Sequence, residues 1–185
     1  MNPLGAARLP SSVTHSKSPL AMLSAMTTEV AVRIALAEPV EARIVHSLML
    51  AAFGEYVGVL DVPSSALSET VADCAAAMAR GGALLAWHDS QPIGSARFQL
   101  REDYAYFERI SVLPEWRGRG IASQLLSEME RLGREAGYRE GHLGVRLALP
   151  RNLALYTRLG YEVYETRPHP GGTELIADLK KRLAP

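Results

Sequence analysis

After residue 28, the apolar residues of the chain recur with regular periods that predict a first strand and two helices. Residues 30–36 alternate between larger apolar side chains and other residues, which is the period of a strand. Glu38-Pro39 is a typical helix start, and a second helix is predicted from Ser64 or Ser65, either of which can cap it, to about Arg80. The apolar positions at helical spacing in the first helix are Val40, Ile44, Val45, Leu48 and Ala52.

The rest of the pattern predicts short strands on both sides of one long helix. Apolar residues line one face of that helix from Ile121 to Ala136, and Gly137 ends it because glycine readily closes a helix in the left-handed conformation. The last two strands are expected to form a hairpin across Gly171-Gly172. The other predicted elements are strands 83–88, 93–100, 104–113 and 143–147, a helix at 152–159, and the hairpin strands 161–166 and 173–179. This order predicts one mixed α/β domain over residues 29–185.

Composition narrows the classes of function. Twenty basic residues balance 20 acidic ones, so no overall field draws the chain to nucleic acid or to an anionic membrane. No stretch has the length of apolar residues that a membrane span needs. Cys74 is the single cysteine, which excludes an internal disulfide and a cysteine metal cluster, and we expect it to be a small buried residue in a cytoplasmic protein.

The first 28 residues have a different composition. They contain five serines and two cations, and no acid precedes Glu29, which is similar to a transit peptide. Three prolines interrupt any amphipathic helix, and a translation start at Met22 or Met26 is an alternative explanation. We therefore expect a disordered or vestigial extension over residues 1–28.

The stretch Arg-Gly-Arg-Gly-Ile-Ala at residues 117–122 lies between a predicted strand and the long helix. Glycines let backbone N–H groups approach an anion, and a helix start adds unpaired donors, so this stretch is a candidate phosphate site, although a plain surface turn also fits. The Lys-Ser/Thr ending of a mononucleotide P-loop is absent. A dinucleotide-binding motif that starts at Gly118 would have Ser123 in place of its third glycine. Such motifs usually lie at the start of a domain, whereas this one would lie in the middle.

Two stretches together resemble motifs of the GNAT superfamily of N-acetyltransferases. Residues 113–122 are similar to motif A, whose core is Arg/Gln-x-x-Gly-x-Gly/Ala. Residues 152–161 are similar to motif B, except that its alanine follows Asn152 by two residues instead of three. The core positions of motif A are occupied by Arg117, Gly120 and Ala122. The resemblance covers residues 30–180 and rests on both motifs at the usual separation.

The resemblance implies the GNAT acyl-CoA N-acyltransferase fold, a mixed α/β (α+β) architecture with a central, mostly antiparallel, twisted sheet flanked by helices. It also implies that acetyl-CoA binds as a co-substrate, with its pyrophosphate on the backbone amides of the glycine-rich stretch and its pantetheine arm along the strand that ends at Val112. That strand would diverge from its neighbour to expose its backbone. The implied coenzyme-binding residues are Ile110, Val112, Arg117, Gly118, Arg119, Gly120, Ile121, Ala122 and Asn152.

Tyr156 is implied by the resemblance to lie beside the coenzyme sulfur and to protonate the leaving thiolate, while the Val112 N–H would polarise the thioester carbonyl. Judged from the residues alone, a half-buried structural aromatic is the preferred interpretation of Tyr156, and the resemblance reverses that preference.

Glu108 is the candidate base that removes a proton from the attacking amine. Regular strand alternation would place it on an apolar face, where its carboxylate would be poorly hydrated. An ion pair with Arg97 or Arg109 is the alternative. The residues expected on the same face as Glu108 are Tyr106, Ile110 and Val112.

The acceptor is expected to be a primary amine of a small molecule or peptide, bound beside Phe53, Glu55 and Tyr56 in the loop after the first helix. Because Glu55 and Asp61 carry negative charge beside aromatic rings, the sequence predicts a cationic acceptor. The predicted function is direct acetyl transfer in a ternary complex without a metal; the alternative is a non-catalytic acyl-CoA-binding regulatory module. No nucleic-acid or membrane partner is expected, and a homodimer is compatible with the sequence.

Overall fold

A computed structural model describes residues 31–183 of the chain and contains one seven-stranded sheet in the order β1-β2-β3-β4-β5-β7-β6. Neighbouring strands are antiparallel except β4 and β5, which run parallel. The strands are β1 (Arg33–Leu36), β2 (Gly81–His88), β3 (Gln91–Leu100), β4 (Ala105–Val112), β5 (Glu140–Arg146), β6 (Glu162–Pro168) and β7 (Leu175–Arg182). The mixed, mostly antiparallel architecture is the fold class that the sequence predicts.

Four α-helices flank this sheet in the part of the chain that the structure describes. They are α1 (Ala42–Phe53), α2 (Val71–Ala79), α3 (Ile121–Glu135) and α4 (Pro150–Arg158). Short 3-10 turns precede α1 at Pro39–Glu41, follow it at Gly54–Tyr56, and occur again at Ser65–Leu67 and Pro114–Trp116.

The hydrophobic core forms two clusters, one on each face of the sheet. The larger cluster joins α3 to residues such as Leu84, Phe107 and Leu143, and partly buried residues of α4 pack against it. The smaller one joins α1 and α2 to β2 residues that include Leu85. Leu84 and Leu85 face opposite clusters because successive strand residues point to opposite faces. We call these two faces the α3–α4 side and the α1–α2 side.

The second helix starts later than the sequence predicts, whereas the first starts behind Glu38 as predicted, with a 3-10 turn that continues into α1. Ser64 caps only a 3-10 turn through a bond from the Ala66 N–H, whereas α2 begins at Val71 behind a Thr70 capping box. Thr70 and Asp73 bond each other's backbone N–H groups, so this start satisfies two donors that Ser64 would leave open. Val40 is 83% exposed in the turn before α1 and does not belong to the apolar helix face.

The predicted extension over residues 1–28 lies outside the described residues. Within the described part of the chain, no helix is both long and apolar enough to cross a bilayer.

Candidate active site

A cleft of about 690 Å³ opens where β4 and β5 separate. These strands are registered only at Ala105 with Gly141 and at Tyr106 with His142, close to the start of each strand. Beyond Tyr106 the backbone edges of β4 and β5 therefore face a gap. The divergence that the family resemblance implies is present in the geometry.

The glycine-rich turn closes the α3–α4 side of the cleft. Gly118 and Gly120 have φ of +74° and +77°, the left-handed region that residues with a Cβ rarely adopt. The first bond of α3 is donated by the Gln124 N–H to the Gly120 carbonyl, and the N–H groups of residues 118–123 have no partner among the described residues. Six free donors beside the positive end of a helix form a suitable anion site.

Arg117 does not contribute its side chain to that anion site. Its Nε donates to the Val112 carbonyl at 3.1 Å, its Nη2 donates to the Ala52 carbonyl at 3.2 Å, and its Nη1 is paired with Glu55. The guanidinium therefore joins the end of β4 to the end of α1. Arg119 lies over the Trp116 ring at 4.7 Å.

A β-bulge at Arg109 changes the faces of β4. Arg97 of β3 is opposite Glu108, but Ser95 is opposite Ser111, so β4 contains one extra residue. Arg109 has φ of +54°, an uncommon conformation for a residue with a side chain.

The prediction that Glu108 and Val112 share a face is therefore wrong. Glu108 lies on the α1–α2 side, whereas Val112 packs in the α3–α4 core. Ile110, also predicted on the face of Glu108, packs against the same core as Val112. Tyr106 remains on the side of Glu108, since two residues of regular strand separate them.

The Val112 N–H points toward the gap. The next N–H along the chain, that of Leu113, donates to the Ile93 carbonyl of β3 at 3.0 Å. Because successive N–H groups of a strand point to opposite edges, the Val112 N–H faces the edge where β5 has diverged. Ile110, Ile121 and Ala122 also line the cleft.

Tyr156 of α4 lines the cleft from the α3–α4 side, with its ring edge-on to Tyr161 at 6.3 Å. Burial, together with the nearby Tyr56 and Tyr106, holds the pKa of Tyr156 well above its ordinary value of 10.0. The phenol is therefore protonated at neutral pH. Asn152, one turn earlier in α4, donates to the Tyr56 hydroxyl at 3.3 Å and so joins the two sides of the cleft.

Glu108 lines the cleft in an ion pair with Arg97, at 3.2 Å between Oε1 and Nη2, and accepts a bond from Gln99. This is the alternative that the sequence left open for Glu108. Arg97 is nearly buried and is also bound by Glu69, which in turn binds Arg109. Burial alone would raise the pKa of Glu69. The hydrogen bonds and positive charges of Arg97 and Arg109 lower this pKa by more than burial raises it, so the pKa of Glu69 lies below its ordinary value.

Phe53 and Tyr56 line the cleft, as the sequence predicts, but Glu55 does not. Its carboxylate is bound to Arg117, and the backbone of Asp61 is bound to Glu174. Neither Glu55 nor Asp61 is part of the cleft lining, so the predicted acidic pocket is absent there. That Phe53 and Tyr56 contact the acceptor stays a prediction.

Sequence reasoning missed the arginines of the α1–α2 side. Arg109, Arg146 and Arg167 all line the cleft, and each is paired with a carboxylate outside the lining. His169 also lines the cleft, and its buried Nδ1 has no bond to a described residue. No local sequence signal marks these residues, because each belongs to a different strand or loop.

Comparison with known proteins identifies the same fold. The model of the acetyltransferase (GNAT) family matches residues 48–161, which is more than half of the chain. The ribosomal-protein-S18-alanine N-acetyltransferase of Escherichia coli is 18% identical, with a TM-score of 0.68 over 83% of this chain and 95% of the other. The PaiA N-acetyltransferase of Thermoplasma acidophilum, solved with coenzyme A, is 20% identical, with a TM-score of 0.71 over 82% and 99%. No curated protein gives a significant match.

Proposed function

The chain belongs to the GNAT family of acetyltransferases, and from this premise we propose that it transfers the acetyl group of acetyl-CoA directly to a primary amine of a small molecule or peptide. The observation that carries the proposal is the gap between β4 and β5, which leads from six free backbone N–H groups at residues 118–123 to the phenol of Tyr156. One solved neighbour of similar fold contains coenzyme A, which supports the same ligand here.

The free N–H groups at residues 118–123 would hold the coenzyme pyrophosphate. Each would donate to a phosphate oxygen, and the absence of side chains at Gly118 and Gly120 leaves open space within 4 Å of both positions. Arg151 and Arg158 of α4 line the same side and supply positive charge beside this site. Arg117 acts indirectly, because its bonds position the turn and the end of β4.

The pantetheine arm would lie along the open edge of β4, beside Ile110 and Asn152. The thioester carbonyl would then accept a bond from the Val112 N–H, which stabilises the negative charge that develops on oxygen during attack. This role requires the N–H to be free of β5, and the divergence of the two strands satisfies that requirement.

In the chemical step, the amine nitrogen forms a bond to the thioester carbon, and the carbon–sulfur bond breaks. The ammonium of the acceptor loses one proton to a base before attack, and the leaving thiolate gains a proton from Tyr156. The nitrogen loses its second proton as the amide forms, and this proton restores the Tyr156 phenol, so one proton is released overall through the base. The raised pKa of Tyr156 suits a donor that must hold its proton at neutral pH. Cys74 is buried outside the cleft lining, which supports direct transfer over an acyl-cysteine intermediate.

Glu108 is the proposed base. Its carboxylate lies in the lining on the α1–α2 side, and Tyr156 lines the same cleft from the α3–α4 side. Arg97 and Gln99 hold the carboxylate from behind and would orient it. Phe53 and Tyr56 would form the aromatic wall of the acceptor site.

The test is amine-dependent thiol release from acetyl-CoA over a broad panel of acceptors, with acetylated products identified by mass spectrometry. We expect at least one amine to accelerate thiol release and to gain one acetyl group. Binding of acetyl-CoA without transfer to any amine would support the non-catalytic alternative instead.

A further inference from the structure

Positive charges greatly outnumber negative charges along the cleft, although the chain as a whole has no net charge. Six arginines line it, whereas Glu108 is the one acidic residue among the described lining residues. Arg117, Arg151 and Arg158 belong to the side proposed for the coenzyme. The other three arginines, on the α1–α2 side, have no role in the transfer described above.

These three arginines have their carboxylate partners behind the cleft wall. Arg109 is paired with Glu69, Arg146 with Glu174 and Arg167 with Asp178, and none of the three acids is a lining residue. Each pair therefore presents its guanidinium to the cleft and its carboxylate to the protein. A ligand in the cleft meets the positive end of each pair first.

Arg167 retains donors that the described residues do not use. It binds Asp178 through Nε and Nη2, whereas Arg109 uses Nε and both hydrogens of Nη2 for Glu69 and Ser65. The Nη1 atom of Arg167 makes no bond to any residue in 31–183. A guanidinium has five N–H donors, so a second anion can bind the edge left free. The Arg167 side chain is 42% exposed, which leaves that edge accessible.

We infer that the acceptor is an amine that also carries a carboxylate, such as an amino acid, and that Arg167 binds this carboxylate on the α1–α2 side. The inference rests on the proposed acetyl transfer and specifies its substrate class. It replaces the cationic acceptor that the sequence predicts, because Glu55 lies outside the cleft lining, bound to Arg117, and arginines outnumber acids six to one among the described lining residues. The planar guanidinium matches a carboxylate through two parallel bonds, which a lysine cannot provide.

The experiment compares ω-amino acids of increasing chain length, each with its own carboxamide, as acceptors at saturating acetyl-CoA. The amide keeps the shape and the amine but removes the charge. We expect the carboxylate form of at least one chain length to have kcat/KM higher by about tenfold or more, the usual scale for a charge-assisted hydrogen bond, with the preference shrinking as salt is raised.

The variant Arg167→Gln with Asp178→Asn removes the guanidinium without leaving a buried carboxylate unpaired. In this variant, the ratio of kcat/KM for the acid to kcat/KM for its amide should fall toward one. Arg131→Gln is the control, since Arg131 pairs with Glu128 and Glu135 of α3 and lies outside the lining. Equal rates for acid and amide throughout the series, or a preference that survives in the double variant, would overturn the inference while leaving acetyl transfer intact.

A binding measurement separates this inference from the proposed function. Calorimetry of the CoA complex should show that an N-acetylated ω-amino acid binds more tightly than its amide, and that the double variant loses the difference. This result without turnover of any amine would support the carboxylate site and contradict the proposed transfer. Turnover without any carboxylate preference would support the proposed transfer and contradict the carboxylate site.

Discussion

The two sides of the cleft are built from different parts of the chain and by different chemistry. On the α3–α4 side, the donors are backbone N–H groups of one short run, residues 118–123, and glycine conformations hold them in place. On the α1–α2 side, the donors are side chains from separate strands, and ion pairs such as Arg109 with Glu69 hold them. A backbone site thus depends on local φ values, whereas a side-chain site depends on long-range contacts.

This difference has a consequence for specialisation. The backbone site tolerates substitution of its neighbours as long as the glycines remain, which suits a ligand common to all members of a family. The side-chain site changes with any of its arginines or their partners, which suits an acceptor that differs between members. Substitutions on the two sides should therefore affect different measurements.

The largest effect is expected at Tyr156, on the α3–α4 side of the cleft. Tyr156→Phe removes the proton donor but keeps the ring, so kcat should fall by about 10²–10⁴-fold while acetyl-CoA affinity changes little. Steady-state kinetics with calorimetry of acetyl-CoA would measure both quantities. Near-normal kcat, with chemistry shown to limit turnover, would return Tyr156 to a structural role.

A large effect on stability is expected at Glu69. Glu69→Gln leaves the nearly buried Arg97 with only Glu108 as a charged partner, and the free energy of unfolding should fall by about 3 kcal/mol or more. Urea denaturation followed by circular dichroism would measure it. The matched control is Glu128→Gln, whose pair with Arg131 is more exposed and should contribute about 1 kcal/mol or less. Equal losses in both variants would contradict the buried network.

A smaller effect, on coenzyme affinity, is expected at Gly120. Gly120→Glu adds negative charge beside the phosphate site and should lower acetyl-CoA affinity by about 10- to 100-fold. Gly120→Ala separates the strain of a φ of +77° from the charge, since the space around the added Cβ is open. Gly171→Glu controls for a charged side chain at a similar φ, +88°, outside the cleft lining. Unchanged affinity in a folded Gly120→Glu protein would show that the pyrophosphate binds elsewhere.

The smallest effect is a dependence of stability on acid pH. Because Arg97 and Arg109 hold the pKa of Glu69 below its ordinary value of 4.5, its contribution is complete above that value and is lost as pH falls through the lower, folded-state pKa. The stability difference between the wild type and Glu69→Gln should therefore be constant from pH 7 to about pH 5 and shrink at lower pH. A difference that stays constant to pH 3 would show that the ionised carboxylate is not what stabilises the fold.

Local regularities determined much of this protein from the sequence alone. The helical period of α3, its closing Gly137 and the alternating pattern of the strands are local features of the sequence. The glycine run at residues 117–122 also acts locally, because the φ values of Gly118 and Gly120 are set by the absence of a side chain.

Only the tertiary structure decided which side chains meet. One extra residue at Arg109 reversed the faces of β4 beyond it, and no residue type in the sequence marks that position. Glu55, predicted to face the acceptor, instead binds Arg117, which is 62 residues away in the chain, and Arg146 bonds a loop 84 residues away. The physical reason is that backbone conformation depends on neighbours in sequence, whereas the pairing of charges depends on neighbours in space, which exist only once the sheet has formed.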